Sequence, residues 1–207
     1  MVLLPSRKQK DTRMYQTHHW TNQFPKAAIL LLLLGSSLLL VGGTASAVTP
    51  PSDQGDQVVT GGDLAFMNDA APGGMAEVTL GKMAAEKAID AEVKKFGQKM
   101  VDDHSKAGEK LQSLAQKKGV ALSTDPMPAQ KEIMDHLSKL SGADFDQAYV
   151  AAMVTAHKKD VAAFQGVAKN ATDADVKAFA RETLPTLEMH LKMIQALATR
   201  LGVAKKD

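Results

Sequence analysis

From Asp63 to Leu201 the chain is written almost throughout in a helical period, and that pattern leaves one broad class of fold open. Four long segments carry it. The first covers residues 63–88, with Pro72-Gly73-Gly74 expected to bend it or delay its regular start. The second is capped by Asp90, keeps Val93, Phe96, Met100, Ala107, Leu111 and Leu114 at 3–4 spacing, and stops at Gly119. The third starts near Asp144, carries Phe145, Tyr149, Met153, Val161 and Phe164, and ends near Asn170. The fourth is expected to be capped by Thr172, to bury Val176, Phe179, Leu187, Leu191, Ile194 and Leu201, to kink at Pro185 and to end at Gly202.

Short turns near residues 89 and 171 pair these segments into two hairpins. A much longer connection, Val120 to Ser141, joins the pairs, and Pro126 and Pro128 open a short helix in it through Ile133, Leu137 and Leu140. Helices of this size run to about 40 Å at 1.5 Å rise per residue. The expected fold is all-α, a ferritin-like four-helix bundle with one crossover and a short extra helix between the second and third long helices.

The first 47 residues belong to a different category. Arg7, Lys8, Lys10, Arg13 and Lys26 precede a leucine-dominated run from Ala27 to Val41, and small residues ending in Ala45-Ser46-Ala47 follow. This is the layout of a secretory signal peptide cut after Ala47, with Met14 an alternative start giving a more ordinary length. The apolar run, broken by Gly35, Ser36 and Ser37, is shorter than the ~20 residues a membrane-spanning helix prefers. Residues 48–62, rich in Pro, Gly and polar side chains, read as a flexible linker, 63–202 as the bundle domain and 203–207 as a tail. The mature chain is then expected in the periplasm or outside the cell, with no membrane span. Five basic residues and one acid leave with the leader, which takes the formal charge from +2 to about −2 and removes the case for a nucleic-acid partner. With no cysteine, disulfides, iron–sulfur clusters and thiol nucleophiles are excluded.

Function has to be sought where polar residues interrupt the apolar stripes. His104 fills the gap between Met100 and Ala107. His157 lies between Met153 and Val161, and His190 lies beside Leu191. In the first segment, Glu77 falls on the series Phe66, Ala70, Gly73, Leu80 and Ala84. Counted from the two turns, all four lie roughly 18–28 Å from a bundle end, near the middle of the rods. Three imidazoles and a carboxylate, one per helix, suit a divalent transition metal such as Zn, Fe, Mn or Cu. Asp160, one turn from His157, is placed to be a fifth ligand or an acceptor that fixes an imidazole tautomer. The same positions also suit a metal-free histidine–carboxylate network, because buried polar groups need partners of some kind. The carboxylate set of a di-iron site is missing, since Val101 and Leu187 stand three residues before His104 and His190. His136, beside Asp135, reads as a surface residue, and the scattered methionines of the mature chain as core filler.

Three stretches, GGMAEVTLGKMAAEKAIDAEVKKFGQKMVDDHSKA, FDQAYVAAMVTAHKKDVAAF and VKAFARETLPTLEMHLKM, carry these four residues. Together they resemble an exported bacterial family of unknown function often labelled "predicted outer membrane protein". The likeness covers about residues 63–200 and includes Glu77, His104, His157 and His190. It implies a ferritin-like helical bundle in the bacterial envelope and no established activity. The label is at odds with a sequence that has no lipid-anchor cysteine and no barrel-like strand pattern. Three functions fit: a metal-binding bundle, an interaction module whose buried histidines only specify packing, and an enzyme using a metal-bound water. The sequence names no reaction, no metal and no oligomeric state.

Overall fold

Helix boundaries follow local chemistry closely, as a computed structural model describing residues 59–203 shows. Five helices result: α1 (Gly61–Lys87), α2 (Ala91–Lys117), α3 (Pro128–Ser138), α4 (Gly142–Asn170) and α5 (Ala174–Arg200). Asp90 caps α2 as expected, accepting from the backbone N–H groups of Glu92 and Val93 at 2.9 and 3.1 Å. Gly119 takes a positive φ of 65° just beyond α2, and Val120 N–H reaches back to the Ala115 carbonyl at 2.8 Å. That bond closes a Schellman motif in which glycine carries no Cβ penalty. Pro128 opens α3 at its first turn, where a missing N–H costs nothing.

Two expectations change. Pro72-Gly73-Gly74 neither delays nor divides α1, which runs through them as one helix. Pro72 forfeits a single backbone bond there and is itself buried against the bundle, so tertiary packing outweighs local preference. The cap of α5 is Asp173 rather than Thr172. Asp173 accepts from Asp175 N–H and Val176 N–H, while Thr172 gives both its N–H and its hydroxyl to Asp63, at the start of α1. The proposed leader (residues 1–47) and most of the linker lie outside the described residues, as does most of the tail.

Contacts at the helix ends fix the topology. At one end, Asp63 of α1 binds the α4–α5 turn, and Lys118 just past α2 bridges Asp173 and Asp175 at 2.9 and 3.0 Å. At the other end, Asp146 of α4 accepts from Ile89 and Asp90 in the α1–α2 turn. Arg200 of α5 makes a two-pronged ion pair with Asp90 there, both contacts at 2.8 Å. Helices α2 and α4 therefore run parallel, and the segment between them travels the length of the bundle, giving the single crossover of a ferritin-like arrangement. Lys87 pins α3 along this path through the carbonyls of Leu137 and Ser138.

The Arg200 pair predicts an acid response. Hydrogen bonds from Arg200 hold the Asp90 carboxyl down at about 2, below its ordinary 3.8. A carboxylate depressed in the folded state stabilises it above the unfolded value, and that contribution is lost as pH falls through the folded value. In urea titrations between pH 4 and pH 2, stability should decline less steeply in Arg200→Met than in wild type. Equal slopes would show that the pair is inert.

The core has two parts. Phe66, Leu111, Phe164, Val176 and Phe179 fill the end at which α1 begins. Val93, Phe96, Phe145, Tyr149, Met153 and Ile194 fill the opposite end. The polar residues singled out above lie where these two apolar clusters meet.

Candidate functional site

Each long helix delivers one of the four residues to that junction: Glu77 from α1, His104 from α2, His157 from α4 and His190 from α5. His157 and His190 are fully buried, and Glu77 and His104 retain only 7% and 6% of their exposure. The three ring centroids are 5.4, 5.4 and 5.8 Å apart. One ligand nitrogen from each histidine lies within 4.8 Å of those of the other two. Asp160 falls in a second, adjoining group, with Glu77 and His157, under the same limit. The five residues read from the sequence thus form one continuous patch in two overlapping sets, while His136 is exposed on α3, as expected.

On each ring one nitrogen is satisfied and the other is bare. His157 Nδ1 lies 3.0 Å from the Met153 carbonyl, which can only accept, so the proton is on Nδ1. His190 Nε2 donates to Asp103 Oδ2 at 2.9 Å, and His104 Nδ1 lies 3.1 Å from Glu77 Oε2. The remaining nitrogens, His104 Nε2, His157 Nε2 and His190 Nδ1, are buried with no hydrogen-bond partner, as is Glu77 Oε1. Leaving a buried acceptor unpaired costs about 1–3 kcal/mol each. The lone pairs of His157 Nε2 and His190 Nδ1 are therefore held in a dry interior by contacts that fix their tautomers, the usual outer support of imidazole ligands, and His104 Nε2 faces the same interior. Phe96 closes the far side, its ring edge-on to His157 and His190 at 6.2 and 6.0 Å.

Electrostatics keeps the imidazoles neutral. Burial, with the neighbouring rings, pushes His104 down to about 3, and burial together with His190 pushes His157 down to about 4. Burial also lowers His190, against the pull of Asp103. Glu77 is driven well above the carboxylate range by burial and by Asp160, whose own carboxyl burial raises to about 6. Asp103 goes the other way. Burial would raise it, but hydrogen bonds from His190 and Lys99 prevail and keep it ionised.

Asp103 is the participant that sequence reasoning missed. It precedes His104 and lies off the apolar stripe, so periodicity passes over it. Its one local mark is the i,i+4 pairing with Lys99, at 3.0 Å.

Comparison with known proteins agrees with this architecture. No curated protein matches the chain. A DUF305 protein from Streptomyces coelicolor, described as secreted, superposes with a TM-score of 0.60 at 17% identity, covering 70% of this chain and 96% of its own. A DUF305 fragment from Deinococcus radiodurans gives 0.60 at 13% identity, covering 68% of this chain and 97% of its own. CopM in its Cu(II)-bound form gives 0.58 at 14% identity, covering 67% of this chain and 96% of its own. At such identities the likeness is one of fold, an all-helical bundle. Among the described residues no helix is long and apolar enough to cross a membrane. The family described as Domain of unknown function DUF4142 matches residues 48–197, well over half of the sequence, and the chain belongs to that family.

Proposed function

We propose that this is an exported metal-binding bundle. A leader over residues 1–47 is removed, and the domain of residues 63–202 then works in the periplasm or outside the cell. It holds one first-row transition metal ion on His104 Nε2, His157 Nε2 and His190 Nδ1. The observation that carries this reading is the set of three buried ring nitrogens without partners, two of them with tautomers fixed by an acceptor on the other side of the ring. A metal-free network accounts for them less well, because a water molecule among them has two protons to give to three acceptors. Ligand bonds near 2.0–2.1 Å set the nitrogens of a tetrahedral site about 3.4 Å apart, so donors that now lie within 4.8 Å of one another would close in on the ion. Glu77 and Asp103 enter as acceptors that orient His104 and His190, and Asp160 acts through Glu77. Copper is the first ion to test: imidazole donors suit it, and CopM, similar in fold, has been seen with copper bound. The bound ion would supply a site for storage or transfer of metal in the envelope.

The test is elemental analysis of the mature protein purified from the periplasm, beside a His104→Ala/His157→Ala variant. About one equivalent of metal is expected in wild type and none in the variant. Equal, substoichiometric metal in both would end the reading.

A further inference from the structure

A cavity of about 320 Å³ lies beside the histidine cluster, under the segment that carries Met127 and Gln130. That is the small end of the range for ligand pockets. Its exposed residues, Asp69, Lys159 and Ala163, mark the mouth. Its inner wall is made by Glu77, whose Oε1 is buried without a partner, and by Asp160, which offers an oxygen within 4.8 Å of one from Glu77. The remaining walls are largely apolar and include three aromatic rings. Phe66 meets Phe164 edge-on at 4.9 Å, and Phe179 lies 6.0–6.4 Å from both.

The space is kept open by glycine. A Cβ at Gly74 or at Gly108, both on the lining, would meet nothing within 4 Å. Neither position needs glycine for backbone reasons, since both lie inside helices without a positive φ.

We propose that this cavity binds a small organic ammonium, a primary amine on a compact aryl or alkyl body, with its N–H groups on Glu77 Oε1 and Asp160 and its body among the three phenylalanines. Asp69 and the Glu77–Asp160 pair against one lysine, Lys159, leave no positive surplus to hold an anion. A bare or hydrated metal ion satisfies the acids but gains nothing from the apolar walls. An ammonium with an apolar body uses both, through charge-assisted hydrogen bonds and through the ring faces. The site shares Glu77, Asp160 and His104 with the metal reading but does not rest on it, because its amine contacts are to the carboxylates and because His157 and His190 are not part of the cavity lining.

Calorimetric titration of the mature protein with phenethylamine, as purified and after dialysis against a chelator, tests the assignment. Saturable one-to-one binding is expected in both states, with 2-phenylethanol weaker by roughly tenfold or more and phenylacetate not binding. Gly108→Leu fills the space without a backbone clash and should lose binding by at least about tenfold, as should Asp160→Asn. His190→Ala should lose metal and keep the amine, which separates failure of one assignment from failure of the other. No saturable heat up to about 10 mM amine, equal affinity for the alcohol, or indifference to Gly108→Leu would overturn the proposal.

Discussion

Loading the protein with its metal should raise the unfolding free energy by roughly 3–4 kcal/mol at 100–1,000 times the dissociation constant, and His157→Leu should abolish the whole gain. For a domain of this size that corresponds to a rise in the thermal midpoint of about 10 °C, reversed by a chelator. The metal-free form of His157→Leu should be at least as stable as metal-free wild type. The ring is fully buried and its Nε2 has no partner, so leucine removes an unpaired polar atom at similar volume. Nothing new is orphaned, because the Met153 carbonyl keeps the helical bond from the residue 157 backbone N–H. The two halves of the result separate the competing readings. A packing network without metal predicts no chelator effect in wild type. A histidine needed for the fold itself predicts that His157→Leu unfolds, and either outcome would contradict the assignment made here.

How much of this was legible beforehand depends on the range of the interaction that decides each feature. The common height of Glu77, His104, His157 and His190 follows from a rise of 1.5 Å per residue counted from two turns, and counting suffices for it. Which nitrogen of each ring is bare does not follow, because it depends on how each helix is rotated and on what its neighbour presents. Asp103 pairs with a residue 87 positions away, and its one local mark, the spacing to Lys99, does not point to that partner. The cap of α5 has the same origin. Thr172 and Asp173 are both capping types, and the choice is made by Asp63, which takes Thr172 for itself across 109 residues. Pro72 shows the reverse error, a local breaking signal weighed too heavily against the burial that holds α1 together. The ferritin-like crossover was readable because it rests on one crude quantity, the length of the connection between the second and third long segments.

Gly97→Ala should destabilise the fold by about 1–3 kcal/mol, although alanine is the better helix former. Gly81 of α1 and Gly97 of α2 face each other where the helices touch. A Cβ on either would sit 2.7 Å from the carbonyl oxygen of the other, and a Cβ at Gly97 would also come within 2.8 Å of the Ala84 Cβ. Those neighbours are backbone and a methyl group, so no flexible side chain can move aside. The helices cannot slide either, being joined by the short turn between Lys87 and Ala91 and held there by Asp146. The remaining response is to separate, and separation has a functional consequence. Gly81 lies one turn from Glu77 and Gly97 two turns from His104, so widening the pair pulls Glu77 Oε2 away from His104 Nδ1. Gly97→Ala should therefore weaken metal binding as well as lower the urea midpoint. Gly108→Ala and Gly166→Ala isolate the clash from helix propensity, since a Cβ there meets nothing within 4 Å, and each should stabilise by about 0.4–1 kcal/mol. A Gly97→Ala protein as stable as the Gly108→Ala control would mean that α1 and α2 are not in backbone contact, and the support of His104 by Glu77 would lose its structural basis.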